Sequence, residues 1–186
     1  MPIDDTWFLA QRAEQTAERA YHRISDTHDD FVEFSRTRHV GRNRFRTLAE
    51  RIEETGAPFG AHTIVYRPSG ELLLVRHDGV DLWVLPGGGV ETDETYREAA
   101  ERELDEEAGV DADYCGLAMV TRITVRSGPY ETRGVLPVFA ADATDCTEPE
   151  ISDPDDEISA VRWFHDLPDD TRDRDDLEQW RNRVLA

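Results

Sequence analysis

The stretch that most constrains this chain is residues 88–110, GGVETDETYREAAERELDEEAGV, which follows Leu85-Pro86-Gly87. Thr95 with Glu98 three residues on is a capping box, so the spacing predicts a helix starting near Tyr96. Gly109 suits the left-handed residue that ends such a helix. At about 100° per residue, Glu103, Glu106 and Glu107 share an arc of roughly 100°. Ala100, Leu104 and Ala108 lie beside that arc as an apolar stripe suited to packing on a sheet. Like charges one turn apart destabilise an isolated helix by a few tenths of a kcal/mol, so three crowded carboxylates point to a cation among them. The glycines before the helix permit positive φ and close backbone approach to a ligand. Their carbonyls are further oxygen donors of the kind hard cations take.

These residues follow the pattern G-x5-E-x7-R-E-U-x-E-E-x-G-U, with U aliphatic, at every fixed position. The chain therefore resembles the Nudix hydrolase family, most specifically over the box and more loosely from about residue 60 to about 168, including the Val161–Phe164 strand. The resemblance implies an α/β fold: a Nudix-type α/β/α sandwich with a mixed sheet. It also implies hydrolysis of the pyrophosphate bond of a nucleoside diphosphate linked to another moiety, with Mg2+ or Mn2+ as cofactor. Carried over position by position, Glu106 and Glu107 resemble the main metal ligands. Glu103 resembles the residue that binds metal or deprotonates the attacking water. Arg102 looks like the arginine that orients the glutamates, and Glu94 like the glutamate that ties loop to helix. Gly87 stands where a backbone carbonyl joins the metal shell in many relatives, and Gly88 and Gly109 are structural positions of the motif.

Outside the box the residues speak less specifically. Arg76, Arg122, Arg126 and Arg133 sit on expected strands and are candidates for phosphate contact, each weighed against a surface salt bridge. Trp83 and Tyr130 are candidates for stacking on a base, with Trp83 equally suited to the core. Some family members recruit a further glutamate from the loop before the last strand; Glu157, nearest that strand, is the candidate here, ahead of Glu148 and Glu150. His62, His77 and His165 lack metal-ligand spacing and read as surface or satisfied core histidines.

The 186 residues hold one ordinary domain with room for an extension. Apolar residues recur at helical spacing from Thr6 to Ile24 and again from Arg42 to Glu54, so residues 1–57 read as a helical N-terminal extension and 58–186 as the hydrolase domain. From Ala61 the pattern turns to strands: Ala61–Arg67, Glu71–His77, Leu82–Leu85, Tyr114–Arg126, Thr132–Ala140 and Ile158–Phe164, with an acidic loop over Asp142–Glu157 and a closing helix over Asp173–Leu185.

Net charge is −20, and all 21 basic residues are arginine. An acidic surface of this strength repels itself in dilute buffer, and at molar salt the Debye length falls to about 3 Å. The composition resembles that of proteins from salt-loving archaea. The same charge argues against general nucleic-acid binding, which needs clustered basic residues. One basic island, Arg36, Arg38, His39, Arg42, Arg44 and Arg46, runs without an acidic residue. Pairing with the acidic remainder or with another subunit accounts for it, and RNA contact is the alternative. The first helices suit a homodimer or packing element. No run approaches the roughly 20 apolar residues of a membrane span. The N-terminus lacks signal-peptide regions, and two cysteines, Cys115 and Cys146, make no disulfide framework. A reducing cytoplasm is therefore expected.

The box defines a reaction class and leaves the substrate open. Pro129 and Tyr130 lie about 20 residues beyond Val110, away from the markers of ADP-ribose and dinucleoside polyphosphate hydrolases. ADP-ribose-like compounds, dinucleoside polyphosphates and (d)NTPs all fit. A nucleotide-sensing domain without turnover and an RNA 5′-end pyrophosphohydrolase are the alternatives.

Overall fold

The computed structural model describes residues 5–143, 148–153 and 155–185. Its elements are α1 (Asp5–Thr27), β1 (Val32–His39), α2 (Arg42–Thr55), β2 (Ala61–Tyr66), β3 (Leu72–His77), β4 (Leu82–Val84), β5 (Gly87–Gly88), α3 (Tyr96–Ala108), β6 (Asp113–Ser127), β7 (Tyr130–Asp142), β8 (Ile158–Phe164) and α4 (Arg174–Val184). They form two compact units, residues 1–60 with 119–137 and residues 61–118 with 138–186; strands β6 and β7 contribute to both. Parallel pairing of β1 with β6 and of β2 with β7, beside antiparallel pairing elsewhere, makes the sheet mixed. Among the described residues no helix is long and apolar enough to cross a membrane.

The first unit is built on the helical stripes seen in the sequence. Leu9, Ala10, Ala13 and Ala17 of α1 pack with Phe45, Leu48, Ala49 and Ile52 of α2 and with Ile123 and Val125 of β6. Phe45, Leu48 and Ile52 are completely buried, each contributing roughly 1.5–3 kcal/mol of apolar transfer. Residues 32–39, inside the span read as helical, form a strand instead. Exposure alternates along it with a period of two. Its inward positions include Arg36 and Arg38, so the alternation was hidden from a search for apolar residues. Pairing with β6, Val32 opposite Met119 through His39 opposite Arg126, makes it a strand.

The second unit is a three-layer arrangement. Val65 and Leu73 pack with Leu104, Ala108 and Val110 on one face of the sheet. The next residue, Tyr66, points to the other face, where its ring lies 5.7 Å from that of Trp180 on α4. β3 is the hub: it pairs β2, β4 and β8. Thr63 on β2 bonds the Tyr114 hydroxyl at 2.8 Å, and the Thr63 N–H donates to Pro86 O at 2.9 Å. Both bonds fix the sheet against the glycine loop and the start of β6. Cys115 is a free, exposed thiol, and Cys146 lies outside the described residues.

Candidate active site

The geometry begins with how α3 is started and stopped. The Glu98 N–H donates to Thr95 Oγ1 at 3.2 Å and the Thr95 N–H to the Glu98 carboxylate at 2.8 Å, the reciprocal pair the sequence predicted. At the far end Gly109 has φ +57°, and its N–H reaches the carbonyls of Leu104 and Asp105. The helix is thereby phased so that Leu104 and Ala108 face the sheet while the glutamates face the Gly87–Gly89 loop.

Arg102 organises the glutamates. Its guanidinium donates to both carboxylate oxygens of Glu94 at 2.9 and 3.0 Å, to Glu103 at 2.8 Å and to the carbonyl of Gly89 at 2.8 Å. Glu106 is 3.6 Å away. A two-pronged arginine–carboxylate bond fixes orientation as well as charge. Arg102 holds Glu94 below the usual carboxylate range. Glu94 also accepts the Glu91 N–H at 2.9 Å, which ties the loop to the helix.

The loop accommodates the carboxylates through its glycines. A Cβ on Gly88 would stand 2.6 Å from the Glu103 carboxyl carbon. Gly87, at φ +151°, passes against Ala61 and His62, where a side chain would collide with the β2 backbone. Its N–H donates to Glu107 at 2.8 Å. Glu107 is only 8% exposed. Burial pushes its carboxyl up to about 8, against the Gly87 N–H bond and aided by the charges of Glu103, Asp153 and Glu157. Burial also raises Glu103, with Arg102 opposing and Glu106 and Asp155 adding.

A buried carboxylate with a raised proton affinity is a group in want of a cation. The carboxylates of Glu103 and Glu107 both lie against the Gly87–Gly88 loop, and oxygen donors of this kind suit a hard divalent cation. Among the described residues no three acidic, histidine or cysteine side chains are already drawn to one point.

Of the remaining sequence candidates, Arg76 and Trp83 lie side by side across β3 and β4. Arg76 is ion-paired with Asp81 and Asp170. Trp83 packs edge-on against Phe164 at 4.8 Å, and its backbone is tied to Asp170 and Arg172. Arg122, Arg126 and Arg133 belong to the first unit. There Arg122 pairs with Glu18 and lies over the Tyr21 ring, Arg126 pairs with Glu131 at 2.6 Å, and Arg133 with Glu14 at 3.1 Å. Tyr130 packs against Phe45 and Arg42. Glu150 and Ser152 give their N–H groups to the carbonyls of Ala108 and Glu106, laying the residue 148–153 segment along the end of α3. Glu157 stands beside His77 at 3.4 Å.

Two histidines differ from their sequence reading. His62 is half-buried beside the glycine loop, and its Nδ1 is enclosed without a hydrogen-bond partner, so it is neither a surface nor a satisfied core histidine. Burial, then the charges of Arg172 and His77, push its pKa down to about 4. His77 is not a bare surface residue, because it faces Glu157. Asp153, a third residue missed, accepts backbone N–H bonds from Asp155, Glu157 and Ile158. Nothing in the spacing of these residues announces them; His77 comes to Glu157 through the pairing of β3 with β8.

Comparison with known proteins agrees with this architecture. The family model described as the NUDIX domain matches residues 57–185. A Bacillus subtilis (strain 168) protein named "Putative 8-oxo-dGTP diphosphatase" is 49% identical over 53 residues, 28% of this chain and 36% of that protein. An RNA pyrophosphohydrolase of Coxiella burnetii is 43% identical over 60 residues, 32% of this chain and 26% of that protein. The chain spans about a third of the length of the curated relatives it matches. The solved structure of the E. coli dihydroneopterin triphosphate pyrophosphohydrolase superposes with a TM-score of 0.51 at 18% identity, over 67% of this chain and 92% of that one, a likeness of fold. With the domain matched over more than half its length and every fixed position of the box in place, the chain belongs to the Nudix family.

Proposed function

We propose that this protein hydrolyses the pyrophosphate bond of a nucleotide-type substrate with the help of a divalent ion, Mg2+ or Mn2+. The observation that carries the reading is the arrangement around Arg102, which fixes Glu94 and Glu103 while Glu107 is buried against the Gly87 N–H. Glu106, Glu107 and Glu103, with the Gly87 carbonyl, would hold the ion. When bound, it neutralises charge on the phosphoryl oxygens and acidifies water. The protein's own part is positioning and electrostatics, which dominate phosphoryl transfer. Arg102 keeps the glutamates aimed at one region, and the glycines let the diphosphate approach the backbone. Glu103 takes the proton of the attacking water as its oxygen bonds phosphorus and the bridging P–O bond breaks toward the leaving phosphate. Arg76 and Trp83 remain the nearest candidates for contact with the rest of the substrate, and Arg122 and Arg126 would have to leave their present ion pairs to take part.

The test is product release from ADP-ribose, 8-oxo-dGTP, diadenosine tetraphosphate and 5′-triphosphorylated RNA, with Mg2+ or Mn2+ in molar KCl. Turnover of at least one compound is expected. Binding without any product would leave a nucleotide sensor and remove the hydrolase reading. RNA-end hydrolysis is the second reading, favoured because curated relatives from several bacteria are named RNA pyrophosphohydrolases. Faster turnover of the RNA than of the free nucleotides would select it. We further assign the chain to a salt-rich cytoplasm, with residues 1–57 as an extension of the hydrolase domain that serves a homodimer. A melting temperature and activity unchanged between molar and 50 mM salt would end the salt-adapted reading, the lower concentration having a Debye length well above 10 Å.

A further inference from the structure

We propose that the outer face of α1 is a self-association surface, on which a second copy of this chain docks its own α1, antiparallel, about a two-fold axis at Gln15. This rests on the homodimer reading of residues 1–57 above and names the face that serves it.

The surface is what α1 leaves outside. Leu9, Ala13, Ala17, Ala20 and Ile24 form its buried stripe. Trp7 and Phe8 are exposed at one end, His22 and Arg23 at the other, with Gln11 and Gln15 between them. No exposed position of α1 between Asp5 and Asp26 is acidic. The two glutamates in that span are half-buried and engaged, Glu14 with Arg133 at 3.1 Å and Glu18 with Arg122. The chain carries 41 acidic residues and a net charge of −20, so most of its surface repels a second copy. A helix face free of carboxylates is where that repulsion is weakest. Aromatic residues and arginine in, Asp and Glu out, is also the composition that marks the centre of a protein–protein interface.

The aromatic pair sharpens the point. Trp7 is 49% and Phe8 44% exposed, with their rings edge-to-face at 5.1 Å. Every other aromatic ring of the chain is buried or half-buried. The fold finds an enclosed place for all its large rings except two neighbours on one helix end.

Charge complementarity selects the occupant. From Trp7 to Arg23 the helix rises about 24 Å. In an antiparallel pair centred on Gln15, Trp7 stands opposite Arg23 of the second copy, Phe8 opposite its His22 and Gln11 opposite its Arg19. The two-fold axis repeats each contact, so the electron-rich indole face meets a guanidinium at both ends. At the centre Gln15 meets its own copy, and an amide that both donates and accepts satisfies itself. A parallel pair would set ring on ring and arginine on arginine. The contact closes on itself, as a two-fold interface must, and a shallow crossing keeps such helices together along their length.

Sedimentation of the full chain tests this. A dimer is expected in molar KCl, weaker at 50 mM, because salt screens the repulsion between two acidic copies. Trp7→Lys should weaken it at least about 10-fold, by loss of a buried aromatic anchor and by setting lysine against arginine. Arg23→Glu should weaken it too. The Trp7→Lys/Arg23→Glu double variant should recover most of the loss, because each lysine then faces a glutamate across the axis; within one chain the two are too far apart to meet. With Cys115 and Cys146 replaced by serine, Gln15→Cys should give a disulfide-linked dimer on oxidation, and Glu50→Cys on α2 should not. A chain that stays monomeric at every salt and protein concentration would remove the homodimer reading. A dimer indifferent to Trp7→Lys, additive losses in the double variant, or no cross-link through Gln15→Cys would leave that reading standing and overturn this interface. A monomer that retains single-stranded RNA, and loses it on Trp7→Lys, would give the face to nucleic acid and overturn it as well.

Discussion

Helices α2 and α3 are nearly the same length, and both end on a left-handed glycine, Gly56 and Gly109, yet they are held in opposite ways. α3 opens on a complete capping box with Glu98 in its first turn, the charge that suits a helix N-terminus. α2 opens on Gly41, with no side-chain cap and with Arg42 and Arg44 against its positive end. What fixes α2 is burial: Phe45, Leu48, Ala49 and Ile52 are fully enclosed. Local signals thus phase the helix whose glutamates need angular placement. Tertiary packing alone is enough for the helix whose task is to fill space. The difference teaches that strong local encoding coincides here with the element proposed to carry the chemistry.

The contrast is broken hardest by removing packing from α2. Phe45→Ala should cost about 3–5 kcal/mol of stability, seen as a lower midpoint in denaturant, with kcat of the folded fraction preserved. The converse experiment is on α3. Glu106→Gln or Glu107→Gln should lower kcat at least about 100-fold with no loss of thermal stability. A variant near the wild-type kcat would remove the metal-ligand assignment.

Glu107 also links the site to pH. Its folded-state pKa, about 8, lies above its ordinary 4.5. The folded form therefore holds this proton more tightly than the unfolded one. The stability tied to it is complete below about pH 4.5 and is lost as pH rises through about 8. In metal-free buffer Glu107→Gln should melt higher than wild type at pH 8 by at least about 1 kcal/mol, and the gain should shrink toward pH 5. Equal melting differences at both values would contradict a buried, uncompensated carboxylate.

The smallest effects sharpen the cap comparison. Thr95→Ala should cost about 1 kcal/mol. Gly41→Asp, which adds a side-chain acceptor and a negative charge to the bare end of α2, should stabilise by a few tenths of a kcal/mol. Thermal melts of both variants against wild type provide the check. A neutral Thr95→Ala would show that α3, too, is held by packing.

How much of this was legible depended on whether the signal was local. The α3 caps, its apolar stripe and the glycine loop could be read directly because each involves residues within a few positions of one another. The stripes of α1 and α2 and most strand spans were legible for the same reason. Strand β1 was not, because Arg36 and Arg38 occupy its inward positions and break the apolar alternation. The short β5 pairing at Gly87–Gly88 was not either, since glycine carries no strand signal. His77 was read as a surface or satisfied core histidine and Asp153 was passed over, because the partners of both are set by tertiary contacts.

The sequence alone determined the phase of the box helix and the trio of glutamates on it, because helical geometry converts spacing into direction with no help from the rest of the chain. Only the tertiary structure decided that Glu107 is buried against the Gly87 N–H, that Arg102 locks Glu94 and Glu103, and that the pairing of β3 with β8 sets Glu157 beside His77. Those are matters of desolvation and of strand register. Both are set by which distant segments meet, and that is not a property of any short stretch of sequence.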